Sequence, residues 1–254
     1  MSDAAGPALL TPDSPLVARL APSPNFGARR AGRGIDMIVL HYTGCPSAES
    51  ACLWMCCEEA QVSAHYLVDE DGEIVQLVAE AARAWHAGVA HWAGEDDINS
   101  CSVGIEIQNA GHEGGLPPYP EAQMRAVKAL VVDIMARHGV PPWRVVGHSD
   151  VAPARKADPG EHFPWRELAA RGLALPAPDI SLPPARGLTE EETARLRQAL
   201  ARIGYGVAGQ ELAVLVRAFQ RRFWPERVDG VADAQVLALA EAVAGMVDAA
   251  RARA

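Results

Sequence analysis

Residues Met37–Leu40, "MIVL", are apolar at every position, end on His41, and run straight into the turn-forming "YTG". A short continuous apolar run closed by a turn signal reads as a buried strand. Such a strand needs partners, and the chain supplies them. "AHYLVDEDGEIVQLV" reads as two short strands around an Asp71-Gly72 hairpin turn. "SVGIEIQN" alternates, with Val103, Ile105 and Ile107 on one face and Gly104, Glu106 and Gln108 on the other. "WRVVGH" gives a further strand ending at His148. Helical patterns lie between them. Ala48–Ala60 reads as one helix. A longer one runs from about Pro120 to His138, with Met124, Val127, Val131 and Ile134 as its apolar stripe and Gly139 and Pro141 to end it. The economical fold is therefore an α/β or α+β sheet flanked by helices.

The 254 residues leave room for a small second unit. "GLALPAPDISLPPARG", residues 172–187, carries four prolines and reads as a stiff linker. Three helical stripes follow, the first behind a capping-box spacing from Thr189 to Glu192. Residues 1–34 read as an irregular arm. The formal charge of −9 excludes a basic nucleic-acid footprint, and charges interrupt every apolar stretch well short of a membrane span. The N-terminus shows no secretory pattern, and the five cysteines form no disulfide framework. Both point to a cytoplasmic protein, with a periplasmic or outer-membrane-associated one as the alternative if a leader was removed.

His41 and His148 each close a strand, which can bring two imidazoles to one sheet edge. Asp158 follows ten residues after His148 in "GHSDVAPARKADPG". Two neutral imidazoles and a carboxylate are a sensible zinc set, leaving a fourth position open. Taken singly, each has a plainer reading: a capped strand end, or the start of a turn. Glu106 sits mid-strand, where a carboxylate is costly unless paired, or else solvated on an edge. Lys156, two residues before Asp158, is either an oxyanion partner on the same face or a solvated loop lysine.

"IVLHYTG", "VSAHYLVDEDG", "AWHAGVAHW", "NSCSVGIEIQN", "YPEAQMRAVKALVVDIMARHGVPP" and "VGHSDVAPARKADPGEHFPW" resemble, in order, the zinc-dependent N-acetylmuramoyl-L-alanine amidases of the type-2 amidase family. The resemblance spans about residues 35–165. It implies a mixed central sheet flanked by helices, as in phage T7 lysozyme-like amidases and peptidoglycan recognition proteins. It also implies one Zn2+ on His41, His148 and Asp158, with Glu106 as acid/base and Lys156 as oxyanion stabiliser. His65, Trp85, His86 and Trp92 would border the substrate groove. Where phage relatives carry a catalytic Tyr, this chain has Ala64.

The division that results is an arm (1–34), an amidase domain (35–171), a Pro-rich linker (172–187) and a three-helix module (188–254). In the module, "LRQALARIGYG" and "VRAFQRRFWPERVDGVADAQVLALA" resemble a peptidoglycan-binding domain. The partners implied are peptidoglycan fragments, or muropeptides, met in cell-wall recycling. The rival readings are a non-catalytic peptidoglycan receptor, an exported murein-trimming enzyme and an amide hydrolase with a substrate outside the cell wall.

Overall fold

The computed structural model describes residues 10–253. Within the expected arm, Arg19–Leu20 (β1) and Phe26–Ala28 (β2) are strands. The apolar run becomes Met37–Tyr42 (β3), followed by helix Ala48–Met55 (α1). This helix stops short of Ala60 because the arm claims its last carbonyls. Ser23 Oγ donates to the Met55 carbonyl at 2.5 Å, and the Asn25 amide donates to that of Cys57 at 2.8 Å.

Tyr66–Val68 (β4) and Ile74–Gln76 (β5) pair antiparallel across the expected hairpin. Gly72 there has φ +95°, and a Cβ would approach the Ala122 carbonyl at 3.0 Å, so the turn suits glycine on two counts. Ala82–Ala84 (β6) pairs with β2 in a separate ribbon. Ile98–Cys101 (α2) leads into Ser102–Ile107 (β7), and Glu121–His138 (α3) begins after Pro120 and ends at Gly139 in the left-handed region. Val145–Gly147 (β8) is shorter than the expected 143–148 at both ends: Trp143 and Arg144 lie in a 3-10 turn, and His148 opens a short helix, His148–Val151 (α4), whose Asp150 carboxylate accepts from the Gly147 N–H at 2.8 Å. Trp165–Ala170 (α5) closes this part of the chain.

The six-stranded sheet has the order β1-β5-β4-β7-β3-β8, parallel except at β4–β5. The strands flanked by helices match the expected mixed α/β fold. Period two sorts the side chains of β3 and β7. Ile38, Leu40, Val103, Ile105 and Ile107 pack with Val127, Val131 and Ile134 of α3. Met37, Val39, His41, Gly104 and Glu106 take the other face.

The last three helices are Glu190–Ile203 (α6), Leu212–Phe223 (α7) and Ala234–Arg251 (α8). They do not hang from a tether. Leu196, Leu215, Phe219 and Val243 share one continuous buried core with Met37, Val39 and Val146 of the sheet. The proline-rich segment is itself pinned at its start, where Leu173 and Ala174 are buried. Among the described residues, no helix is long and apolar enough to cross a membrane, and all five cysteines are free thiols.

Candidate metal centre and substrate groove

β3 and β7 run parallel with His41 and Glu106 as register partners, so both side chains emerge on the face away from α3. β8 flanks β3 on its other side, and α4 starts with His148 where that strand stops. Asp158 returns to the same point. The Ser149 N–H donates to the Asp158 carbonyl at 2.9 Å, and Gly160, at φ +81°, turns the chain away. His41, His148 and Asp158 are all buried. His41 Nδ1 lies 2.9 Å from His148 Nδ1, and Asp158 Oδ2 lies 3.1 and 3.0 Å from the two nitrogens.

The tautomers follow from the outer partners. His148 Nε2 is 3.1 Å from the Ala87 carbonyl, which only accepts, so this nitrogen carries the proton. Ser102 Oγ spends its proton on the Ile98 carbonyl at 2.6 Å and so accepts from His86 Nε2 at 3.1 Å. His86 Nδ1 is then an acceptor, and His41 Nε2 donates to it at 3.1 Å. Burial, and next the charge of His148, pull His41 down to about 4, which keeps its ring neutral. Burial opposes ionisation of Asp158, but the two imidazoles override it and hold this carboxyl far below its usual range. Two imidazole nitrogens and a carboxylate oxygen therefore converge out of water, all within 4.8 Å of one another. A cation resolves that arrangement. Ligand atoms around a tetrahedral zinc lie about 3.3 Å apart, close to the separations seen here. The donor set fits Zn2+.

Glu106 and Lys156 meet His148 and Asp158 in a groove of about 420 Å3. Glu106 Oε2 is enclosed without a hydrogen-bond partner. Burial, and next the charge of Asp158, push this carboxyl well above the ordinary range, against the pull of Lys156. Lys156 is exposed and makes no ion pair among the described residues. Its backbone is turned rather than extended, with its N–H on the Ala152 carbonyl at 3.0 Å. The loop, not strand alternation, brings it to the groove beside Asp158.

Of the four groove residues expected, two line it. Trp85 forms part of its wall. His86 also lines it, but both ring nitrogens are committed to His41 and Ser102, so it supports a ligand from behind. Gly104 leaves room for that ring, since a Cβ there would stand 2.4 Å from it. His65 lies beneath, fully buried, with Nδ1 accepting from the Gly104 N–H at 3.0 Å. Trp92 is packed edge-on against Tyr205 at the tail, away from the groove. Ala64 is fully buried and offers no polar group. Trp54, 57% exposed on α1, lines the groove and was not singled out from the sequence. Its signal is a large aromatic outside the apolar stripe of its helix.

The Amidase_2 family, described as N-acetylmuramoyl-L-alanine amidase, matches residues 31–161. The N-acetylmuramoyl-L-alanine amidase AmiD of Escherichia coli is 37% identical over 237 residues, covering 85% of this chain and 84% of its own. The 1,6-anhydro-N-acetylmuramyl-L-alanine amidase AmpD of Citrobacter freundii is 31% identical, covering 63% of this chain and 91% of its own. The structure of Escherichia coli AmiD with anhydro-N-acetylmuramic acid-L-Ala-D-gamma-Glu-L-Lys superposes with a TM-score of 0.76, at 36% identity over 85% of this chain and 91% of that one. AmpDh3 of Pseudomonas aeruginosa, with anhydromuramic pentapeptide, gives 0.67 at 32% identity over 83% and 92%. With a family match across half of its length and relatives covered over most of theirs, the chain belongs to the Amidase_2 family of N-acetylmuramoyl-L-alanine amidases.

Proposed function

We propose that this chain hydrolyses the amide between N-acetylmuramic acid, or its 1,6-anhydro form, and L-alanine in peptidoglycan fragments, as a step of cell-wall recycling. The observation that carries it is the convergence of three buried metal-ligating side chains beside an unpartnered Glu106 in one groove. The anhydromuramyl peptides in the two similar structures support the substrate class. His41, His148 and Asp158 would hold the zinc. When bound, it supplies a water nucleophile at neutral pH and Lewis-acid polarisation of a carbonyl.

The chain's own residues do the rest. Glu106 takes the proton of the attacking water as its oxygen bonds the lactyl carbonyl carbon. It hands that proton to the alanine nitrogen as the C–N bond breaks, leaving a carboxylate and a free amine. Lys156 faces the oxygen on which negative charge collects. His86 and the Ala87 carbonyl fix the two imidazoles with Nδ1 forward. Trp85 and Trp54 offer aromatic walls to the sugar or peptide.

Incubation with a defined anhydromuramyl peptide is expected to release an L-Ala-headed peptide, with one zinc per chain by elemental analysis. Full zinc occupancy with no cleavage would leave a receptor instead of an enzyme. Lys156→Ala is expected to keep zinc and lose about a hundredfold in kcat, the usual cost of one oxyanion donor. Parental turnover in that variant removes the role. The tail is read as a murein-binding module on its sequence pattern. Sedimentation of the metal-free chain with insoluble murein tests this, and a chain left wholly in the supernatant refutes it. Truncation is no substitute, because the tail shares its core with the sheet.

A further inference from the structure

One buried carboxylate joins the tail to the metal-ligand segment. Asp150 lies two residues after His148, and three donors occupy its two oxygens. Oδ2 accepts from the Gly147 N–H at 2.8 Å and from Arg222 Nη1 at 2.9 Å, while Oδ1 accepts from the Tyr205 hydroxyl at 2.6 Å. Arg222 is as buried as its partner. Its Nη2 donates to the Val145 carbonyl at 2.8 Å, and its guanidinium lies 4.2 Å over the Trp165 ring. The two tail residues thus grip β8 at its first residue and α4 at Asp150.

We propose that Arg222 and Tyr205 are positioning residues for the metal centre, acting through Asp150 to hold the Gly147–His148 turn with His148 Nδ1 facing His41 and Asp158. This rests on the zinc-site reading above. Docking the helices on the sheet does not require a buried ion pair, because Val146, Leu215 and Phe219 already supply an apolar core there. A buried pair seldom adds stability over apolar residues of the same volume, so its placement needs another reason. Here the placement is on the turn itself. Gly147 packs so tightly that a Cβ would stand 2.8 Å from the Pro159 ring, next to Asp158. Since the Ser149 N–H is bonded to the Asp158 carbonyl, a shift of this turn moves two ligands together.

The test uses the full chain and Zn2+ as the probe, with affinity read by chelator competition and stability by melting of the metal-free form. Tyr205→Phe removes one hydroxyl and keeps the ring against Trp92, so it retains the fold. It is expected to weaken zinc about tenfold, and Arg222→Gln more, within the range seen for outer-shell partners. Val243→Ala, a cavity in α8 outside the Asp150 network, is expected to lower the melting temperature yet leave zinc affinity within about twofold. Parental zinc affinity in Tyr205→Phe overturns the proposal. So does equal weakening by Val243→Ala, which would make the effect one of general stability. A parent chain that takes up no zinc removes the underlying reading along with this one. A parent that binds one zinc, with Tyr205→Phe matching it, removes this one alone.

Discussion

Glu106→Gln is expected to yield a folded, zinc-loaded protein that turns over about a thousandfold more slowly, within the range for loss of a general base. Gln matches Glu in shape, so the groove stays filled and what is lost is the capacity to hold a proton. The case for Glu106 rests on its environment. Its Oε2 is enclosed and unpartnered, an arrangement that disfavours the charged form. Burial and the neighbouring Asp158 raise its pKa together. A carboxylate so placed takes a proton more readily than an ordinary one, which suits a group that must accept from water and then release to an amine. The same desolvation implies a cost to stability, so the variant is expected to melt no lower than the parent. Rate measurement on an anhydromuramyl peptide, zinc analysis and a thermal melt together decide it. Turnover at the parental rate ends the base assignment, and loss of zinc makes Glu106 structural.

The parts of this site that were legible in the sequence have short-range signatures. An apolar run ending in His, an alternating strand with one carboxylate, and a proline-glycine turn behind an aspartate each declare themselves within ten residues. What stayed hidden depends on partners far along the chain. The end of α1 at Met55 is set by Ser23 and Asn25, 32 and 30 positions earlier. His86 carries no local sign that its nitrogens face His41 and Ser102 rather than a substrate. Trp92 sits in a motif with Trp85 and His86, yet the tail covers it. The tail's helical stripes were readable, but an amphipathic stripe says only that something is buried. It does not say that the partner is the underside of the sheet, nor that Arg222, a charge beside that stripe, reaches Asp150 across 72 positions. Lys156 reaches the groove by a turn that strand alternation does not describe.

Removing the metal is expected to have the largest effect, abolishing turnover and loosening the fold. In the metal-free chain, two imidazole nitrogens 2.9 Å apart face a carboxylate oxygen, all out of water. Burial works against the charged form of His41. Separating the groups would strain the hydrogen bonds to His86, Ala87 and Ser149 that hold them. An ion that binds only the folded chain stabilises it by mass action. At free zinc about 1,000-fold above Kd this amounts to about 4 kcal/mol, or roughly 10 °C in Tm for a chain of this size. Dialysis against a chelator should therefore lower Tm by about that amount and stop peptide release, and stoichiometric Zn2+ should restore both. Asp158→Ala should reproduce the loss and resist rescue, since it removes the ligand that carries the charge. A chelated sample that melts and cleaves like the parent would mean that the three side chains converge for some reason other than a metal.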